Sequence, residues 1–329
     1  MAHRDDSTDR RIATLMGVVV ADAAALALHW LYDGERLAAI AQQGDVVFLE
    51  PDAELFKKAS GAYSGFYHPG KTAGDLSHYG NYAKIALASL SATGAPDPAD
   101  FRDRFAAHFG PGGNYRGYID HATKGTLANI AAAGDEPPLV SGIDDDQIPG
   151  LGAIAAIVAA DPSTETLSAR VEPMVRVTSN NDLTVNAGQV AAHVVAALLN
   201  GSEMDQALEA GAAAAGDTLA PLLREAMDFP AGDLEAAAVK FGRPCPVANS
   251  VPLSFVILKG ATNYADGVRA NTRAGGDNCG RALLVGAALG ARFGLTPPDG
   301  IPLEWMMRVA GAREIYEEAA RLCGVGAGP

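Results

Sequence analysis

The stretch GGDNCGRALLVGAALGARFG, residues 275–294, places three reactive side chains at the start of an apolar segment. Asp277 could bind a metal ion or orient a base, Cys279 could act as a nucleophile or a metal ligand, and Arg281 could lower the pKa of a nearby thiol. Two glycines precede Asp277 and small apolar residues follow it at helical spacing, which predicts a turn that opens a buried helix. The simplest role for Asp277 is an N-cap, since aspartate is among the commonest caps.

Three other stretches place polar side chains among apolar residues. They hold Asp22 and His29 in GVVVADAAALALHW (17–30), Ser77, His78 and Tyr79 in AGDLSHYG (73–80), and Asn180 and Asn181 in SNND (179–182). The two asparagines can offer donors and acceptors to a sugar or a base edge, or they can cap the helix that follows. Both alternatives stay open at the level of sequence.

The elements that must position these residues are helical. Segments with helical spacing recur at about 12–30, 33–43, 79–92, 98–109, 116–132, 151–160, 164–177, 184–200, 203–215, 217–227, 233–240, 252–260, 263–270, 279–293 and 303–321. Strand signals are weak, and DVVFLE (45–50) is the best candidate. The breaks between segments are short enough to be loops. We therefore expect one all-α domain over residues 12–323, preceded by a flexible N-terminus at 1–11.

Charge and composition exclude several classes of protein. The formal net charge is −14, from 25 Lys and Arg against 39 Asp and Glu, which argues against a nucleic-acid binder and against binding to an anionic membrane surface. The three cysteines are few, odd in number and far apart, which favours a reducing cytoplasm. The first apolar stretch is interrupted by Asp22 and His29, so we interpret it as a buried helix rather than a signal peptide or a membrane span.

The stretches described above resemble, in order and spacing, the motifs of the ADP-ribosylglycohydrolase family. Residues 275–294 are similar to its Gly-Gly-Asp-Thr-Asp-Thr/Ser turn and following helix, and 17–30 to its first-helix motif, with Asp22 at the family's Asp and His29 where its Glu stands. Residues 73–90 resemble the Thr-Asp-Asp-Thr stretch, and 177–201 the segment that begins Thr-His. PGLGAIAAI (149–157), with Gly150 and Gly152, weakly resembles the family's Gly-Asn-Gly phosphate loop.

The resemblance implies an all-α, single-domain, multi-helix orthogonal bundle. In active members two magnesium ions lie between the Thr-Asp-Asp and Asp-Thr-Asp turns, and the bond between ADP-ribose and protein is hydrolysed there. This chain departs from that pattern at most ligand positions. Asp277 keeps its carboxylate, whereas the other positions hold His29, His78, Tyr79, Cys279 and Gly280.

One carboxylate cannot neutralise two magnesium ions, so we expect the binuclear magnesium centre to be absent or reduced. His29, His78 and Cys279 with Asp277 would suit a single zinc ion, and a single magnesium ion is a further alternative. A neutral, metal-free pocket is favoured over zinc, because zinc demands tight geometry. Metal-free hydrolysis could use His29 or His78 as general base with Asp277 orienting it. A nucleophilic role for Cys279 is less favoured, since buried cysteines are usually inert.

We therefore expect a protein that binds a nucleotide-like or ribosyl-like small molecule and hydrolyses its N- or O-glycosidic bond. Its Gly-Gly-Asp-Asn-Cys turn is similar to that of the crystallin-like branch of the family. The alternative is a non-catalytic ADP-ribose-binding or structural, crystallin-like member, which the loss of the family's acids favours. Aromatic residues could form a lid over the ligand: Tyr63, Phe66 and Tyr67. The expected catalytic residues are His29, His78 and Asp277, and the ligand is expected to contact Asp22, Ser77, Tyr79, Gly150, Gly152, Asn180, Asn181 and Asn278.

Overall fold

The computed structural model describes residues 6–58, 60–61, 65–134, 136–230 and 232–325. In these ranges the chain forms sixteen α-helices, three 3-10 turns and no strand, so the predicted all-α fold is confirmed. The 3-10 turns are Leu26–Leu28, Ala53–Phe56 and Ile148–Ala153. The helices are α1 Asp6–Ala25, α2 Gly34–Gln43, α3 His78–Thr93, α4 Pro98–Phe109, α5 His121–Ala133, α6 Ile154–Ala160, α7 Leu167–Arg176, α8 Asp182–Leu199, α9 Met204–Ala213, α10 Leu219–Asp228, α11 Leu234–Phe241, α12 Val247–Gly260, α13 Tyr264–Ala274, α14 Asn278–Phe293, α15 Leu303–Arg308 and α16 Ala312–Leu322.

Helices α1 and α14 pack against each other at the centre of the core. A Cβ atom added to Gly17 would lie 2.3 Å from the carbonyl oxygen of Gly286, and one added to Gly290 would lie 2.1 Å from that of Ala13. The two backbones therefore touch directly, which only glycine permits. The Tyr264 hydroxyl from α13 donates to the Gly17 carbonyl oxygen at 2.7 Å. This seam fixes the position of the turn that precedes α14.

The first helix begins at Asp6, earlier than the start of the domain expected at residue 12. Residues 6–11 are helical, and the Arg11 guanidinium donates to the carbonyl oxygens of Ala159 and Ala160. The helical part of the N-terminus therefore includes residues 6–11, residues 1–5 lie outside the described residues, and the flexibility of the N-terminus stays a prediction. Helix α1 with its 3-10 turn and helix α8 are long and apolar enough to cross a membrane, but 94% and 61% of their apolar windows are buried in the fold.

Two other expectations about elements were wrong. DVVFLE (45–50) is not a strand: Phe48 has a φ of 54°, and its amide donates to the Ala24 carbonyl oxygen at 2.8 Å. Its apolar side chains are buried against helices rather than paired with another strand. The predicted helix 303–321 is broken into α15 and α16 at Gly311, whose φ of 73° lies in the left-handed region.

Three helix N-termini meet beside the end of α1. Ser77 caps α3, Asp120 caps α5 and Asp277 caps α14, each by accepting a hydrogen bond from an amide of the first turn. The chain leaves the 3-10 turn after α1 at His29, and the next amide, that of Trp30, donates to the Gly276 carbonyl oxygen at 2.7 Å. The end of α1 and the N-termini of α3, α5 and α14 therefore lie close together, although they are far apart in the sequence.

Candidate functional site

A buried chain of hydrogen bonds joins a carboxylate to two imidazoles. Nε2 of His29 lies 2.8 Å from Oδ1 of Asp277, and Nδ1 of His29 lies 2.8 Å from Nε2 of His68. All three side chains are fully buried. We call this Asp277–His29–His68 arrangement the relay. Asp277 therefore combines the predicted capping role with a contact to the predicted base.

Two more groups hold the Asp277 carboxylate. The Tyr79 hydroxyl donates to Oδ2 at 3.3 Å, and the Gly280 amide donates to Oδ1 at 3.3 Å. Gly280 is needed here, because a Cβ at this position would lie 2.2 Å from Oδ2. With the His29 imidazole, the carboxylate has three partners from within the chain.

A second buried carboxylate lies on the other side of the α3 N-terminus. Asp22 accepts from the Ser77 amide at 2.8 Å and also from the Ser77 hydroxyl. Burial raises the pKa of Asp22 to about 6, although the hydrogen bonds from Ser77 oppose the shift. The Cys279 thiol donates to the Asp22 carbonyl oxygen at 3.5 Å.

His78 lies beside the relay without joining it. Its ring centroid is 6.3 Å from that of His29, and its Nε2 is 3.4 Å from Oδ2 of Asp120. That separation is within ion-pair range, but the pair does not have the geometry of a hydrogen bond, since both atoms are without a hydrogen-bond partner. His78 and His29 were the two predicted bases, and they lie side by side. His29 contacts the predicted acid, Asp277, whereas His78 faces Asp120.

Burial keeps both imidazoles of the relay neutral at physiological pH. It lowers the pKa of His29 to about 4, against the opposing effect of the hydrogen bond and negative charge of Asp277. It lowers the pKa of His68 to about 2, with a further contribution from the neighbouring His29 and His78. Neutral His29 donates from Nε2 to the carboxylate, so its Nδ1 must accept from Nε2 of His68. The lone pair on Nδ1 of His68 then ends the relay, and it has no partner.

Aromatic rings separate the relay from solvent. The Trp30 ring stacks on His29 at 3.9 Å between centroids, and it meets the rings of Tyr67 and Tyr118 edge-on at 5.0 Å each. The exposed fraction rises from zero at His29 to 8% at Trp30 and 41% at Tyr67. We call Trp30, Tyr67 and Tyr118 the aromatic cover. Of the lid predicted from sequence, Tyr67 belongs to the cover, Phe66 packs against Phe56 at 5.5 Å, and Tyr63 lies outside the described residues.

Polar atoms without partners are concentrated around the relay. Seven of the eleven buried side-chain atoms that lack a hydrogen bond in the described residues belong to this region. A buried polar atom without a partner costs about 1–3 kcal/mol, so such atoms mark places for water or a polar ligand. They are Nδ1 of His68, both ring nitrogens of His78, Oδ2 of Asp120, both amide atoms of Asn278, and Nη1 of Arg281.

The thiol beside Asp277 is not activated by Arg281. The Arg281 guanidinium donates instead to Asn271 and to the Gly275 carbonyl oxygen, and so braces the turn before α14. Burial raises the pKa of Cys279 well above its usual value, and nearby Asp22 adds to the shift. The hypothesis of a nucleophilic Cys279 is therefore not supported, because the reactive form is the thiolate.

The other predicted ligand residues divide into two groups. Asn181 caps α8 by accepting from the Thr184 amide, and the Asn180 side chain accepts from Arg176 at the surface, so both have structural partners outside the relay. Gly150 and Gly152 lie in a buried 3-10 turn. Added Cβ atoms there would lie 2.4 Å from Thr184 and 2.7 Å from Tyr82, so close packing accounts for both glycines.

The donor set does not fit a pair of magnesium ions. Hard divalent ions need several free oxygen ligands, and the Asp277 carboxylate is shared among His29, Tyr79 and an amide while Ser77 occupies that of Asp22. Among the described residues, no group of three or more His, Cys, Asp or Glu side chains is arranged to hold a metal ion. The Cys279 thiol points to a backbone oxygen, so a zinc site of Cys279, His29 and His78 is also not supported.

Sequence reasoning missed four residues of this region. His68, Asp120, Trp30 and Cys245 all lie beside predicted residues, and the Cys245 thiol has its pKa raised chiefly by burial and next by Asp277. His68 stands in YHPG within an aromatic and glycine-rich stretch, which was interpreted only as a lid. Asp120 precedes a helix and resembles an ordinary cap. Nothing in the local sequence signals the contact of either one with a histidine far along the chain.

Comparison with known proteins agrees with the fold and with these motifs. A family profile described as ADP-ribosylglycohydrolase matches residues 3–328. Crystallin J1A of Tripedalia cystophora is 27% identical over 335 residues, covering 97% of each chain, and crystallin J1B of the same organism is 25% identical, covering 95% of this chain and 96% of its own. A solved structure titled "ADP-ribosylglycohydrolase-related protein complex" matches with a TM-score of 0.71 at 20% identity, covering 97% of this chain and 99% of that one. This chain belongs to the ADP-ribosylglycohydrolase family.

Proposed function

We propose that this protein binds a nucleotide-like or ribosyl-like small molecule beside the relay and hydrolyses its glycosidic bond without a magnesium pair. The relay carries the proposal, because a carboxylate that orients an imidazole is the usual arrangement of a general base. The last nitrogen of the relay, Nδ1 of His68, carries a lone pair and has no hydrogen-bond partner. The sequence predicted His29 as a general base. The proposal assigns this role to His68, the next imidazole in the chain of hydrogen bonds from Asp277.

The reaction needs no oxidant and no metal. Water adds to the anomeric carbon of the ribosyl group as the C–N or C–O glycosidic bond breaks, and His68 accepts one proton of that water. The leaving group takes one proton from the surrounding medium, which balances the hydrolysis. His29 and Asp277 keep the His68 ring in the tautomer that leaves Nδ1 free, and they stabilise the positive charge that develops on it.

The unpartnered polar atoms support a polar ligand in this place. His78 and Asn278 each carry two such atoms, which can satisfy the hydroxyls or the base of a nucleoside. Full burial of the relay means that the ligand enters only when Trp30 and Tyr67 of the aromatic cover move aside. A ring of the ligand can then stack on Trp30 in place of the neighbouring aromatic side chains.

Hydrolysis assays in the presence of EDTA test the proposal. Candidate substrates are ADP-ribosylated peptides and N-ribosyl nucleosides, with release of the free sugar as the readout. We expect turnover that survives chelation and falls by at least about 100-fold in His68→Gln, the usual size of a general-base contribution. His121→Gln is the matched control, because His121 lies at the surface with its side chain 75% exposed. Turnover that disappears with EDTA, or that persists in His68→Gln, contradicts the proposal.

A second candidate is a non-catalytic member that binds ADP-ribose or has a structural role. Full burial of the relay and its low pKa values favour this candidate, since a weakly basic and covered imidazole is a poor catalyst. The similarity to two crystallins agrees with it. Saturable thermal stabilisation by ADP-ribose without turnover would select the binding protein, and neither stabilisation nor turnover would select the structural one.

The cellular setting is part of the same proposal. We propose a cytoplasmic protein whose partner is a small molecule rather than a nucleic acid or a membrane. The three free cysteines and the net charge of −14 support this.

A further inference from the structure

A polar cavity of about 370 Å³ lies on the flank of α3, outside the relay. The segment before α3, the exposed face of α3 and the segment after α4 enclose it. We call it the basic groove, and its polar lining comes from Lys71, Asp75, Asn81, Lys84, His108 and Arg116. None of these residues belongs to the proposed base or to its aromatic cover.

The groove concentrates positive charge in an acidic protein. Three cationic side chains and one histidine line it against a single carboxylate, whereas the whole chain has a net charge of −14. That carboxylate, of Asp75, accepts hydrogen bonds from the amide and the hydroxyl of Thr72. Since like charges repel, an anion that shares the cavity would stabilise this concentration of positive charge.

The three cations form no ion pair with a carboxylate among the described residues. The Lys71 ammonium lies 4.9 Å from the centroid of the Tyr115 ring, and the Arg116 guanidinium donates to the backbone oxygens of Gly113 and Tyr115. Among the ion pairs of the described residues, none involves Lys71, Lys84 or Arg116. Burial lowers the pKa of Lys71 below its usual value, against the opposing negative charges of Asp75 and Asp22. An anion in the groove would stabilise the charged form further.

His108 and Asn81 complete the site. Nε2 of His108 donates to Oδ1 of Asn81 at 2.9 Å, and the Asn81 amide donates to the Ser77 carbonyl oxygen at 2.7 Å. Burial and the positive charges of Lys84 and Lys71 lower the pKa of His108, so its ring is close enough to both lysines for their charges to act on it. These hydrogen bonds fix the floor of the groove to the first turn of α3.

We propose that the basic groove binds the phosphate group of a small phosphorylated molecule. Lysine and arginine side chains that converge on one cavity are the usual partners of phosphate. A small ligand fits better than a nucleic acid or another polyanion, because the net charge of −14 on the whole chain repels a polymeric anion at long range. The proposal does not depend on the relay or on any hydrolysis.

Isothermal titration tests it with inorganic phosphate and with ribose 5-phosphate, at constant ionic strength set with sodium chloride. We expect saturable binding of at least one of the two. Tighter binding of ribose 5-phosphate identifies an organic phosphate, and equal binding identifies phosphate itself as the recognised group. We expect Lys71→Gln and Arg116→Gln each to weaken binding by roughly tenfold, the effect of losing one charge-assisted hydrogen bond.

Lys124→Gln is the matched control, because its ammonium also lies over a tyrosine, 5.0 Å from the centroid of Tyr118, but outside the groove. It should bind phosphate as the wild type does. Arg116 is exposed, so its variant is expected to fold even if Lys71→Gln does not. No saturable binding of either probe, or equal weakening by Lys124→Gln and Arg116→Gln, overturns the proposal.

Discussion

Helix α14 takes part in two buried regions that are built in opposite ways. Along its length it meets α1 through glycine and alanine, with backbone against backbone. At its N-terminus, Asp277 meets imidazole, phenol and amide groups that are just as deeply buried. The seam is stabilised by close packing, whereas the polar region is stabilised by the hydrogen bonds that Asp277 accepts from its neighbours. Adding an atom should therefore disrupt the seam, and removing the Asp277 carboxylate should disrupt the polar region.

The largest expected effect comes from adding one methyl group to the seam. In Gly17→Ala the new Cβ would lie 2.3 Å from a backbone oxygen of α14, which cannot move without displacing the helix. We expect the free energy of unfolding in urea to fall by about 3 kcal/mol or more. Gly260→Ala is the control, since nothing lies within 4 Å of its Cβ, and it should be neutral or slightly stabilising. A mild Gly17→Ala would show that the helices can separate at little cost.

Removing the central carboxylate tests the polar region in the same measurement. Asp277→Ala leaves the His29 imidazole and the Tyr79 hydroxyl without their acceptor in a buried place. We expect a loss of about 3 kcal/mol in the free energy of unfolding. Asp182→Ala, at a surface ion pair whose carboxylate is 93% exposed, should cost less than about 1 kcal/mol. Equal effects of the two variants would mean that the hydrogen bonds of Asp277 contribute little.

The pH dependence of stability distinguishes the two kinds of buried group. His29 has a pKa of 6.5 when unfolded and about 4 when folded, and His68 falls to about 2, so the unfolded chain binds more protons below pH 6.5. Their contribution is present above pH 6.5 and is lost on acidification, through pH 4 for His29 and on towards pH 2 for His68. Asp22 acts in the opposite sense, because its pKa rises on folding from 3.8 to about 6, so its ionisation costs stability as the pH rises through 6.

Between pH 6 and pH 4 the two histidines bind about two more protons in the unfolded chain than in the folded chain, whereas Asp22 binds about one fewer. The net difference between the two states is about one proton. From these groups we expect the free energy of unfolding to fall on acidification, by on the order of 1 kcal/mol per pH unit. Asp22→Asn removes the opposing contribution, so its stability should fall about twice as steeply. Urea titrations at a series of pH values measure both slopes. An Asp22→Asn slope no steeper than that of the wild type would contradict the raised pKa of Asp22.

The smallest effect is expected at the cap of α3. Ser77→Ala removes the hydroxyl that accepts from the Tyr79 amide and donates to Asp22, with an expected loss of about 1–2 kcal/mol. The comparison is Asp233→Ala at the cap of α11, which accepts from the Ala236 amide in an exposed setting and should cost about 1 kcal/mol or less. If the two losses are equal, the contact between Ser77 and Asp22 adds nothing to the cap.

The sequence predicted the seam better than the polar region. The small apolar residues that follow Asp277 at helical spacing predicted a buried helix, and α14 lies in the core, although its pairing with α1 was not predicted. The break at Gly311 was missed because local propensity favours a helix on both sides. The contact of His29 with Asp277 was expected only through the family resemblance. The contact with His68 was not expected, because it depends on how a loop folds over the helix ends.

The central claim is that hydrogen bonds within the chain occupy the carboxylates of Asp277 and Asp22, so that they do not bind two magnesium ions. Calorimetric titration of magnesium into chelator-free protein tests this claim most directly. Asp277 and Asp22 already have partners within the chain, so we expect no saturable binding at sub-millimolar concentrations of the ion. Saturable binding of two magnesium ions at micromolar affinity would contradict this assignment, and Asp277 would then have to release His29.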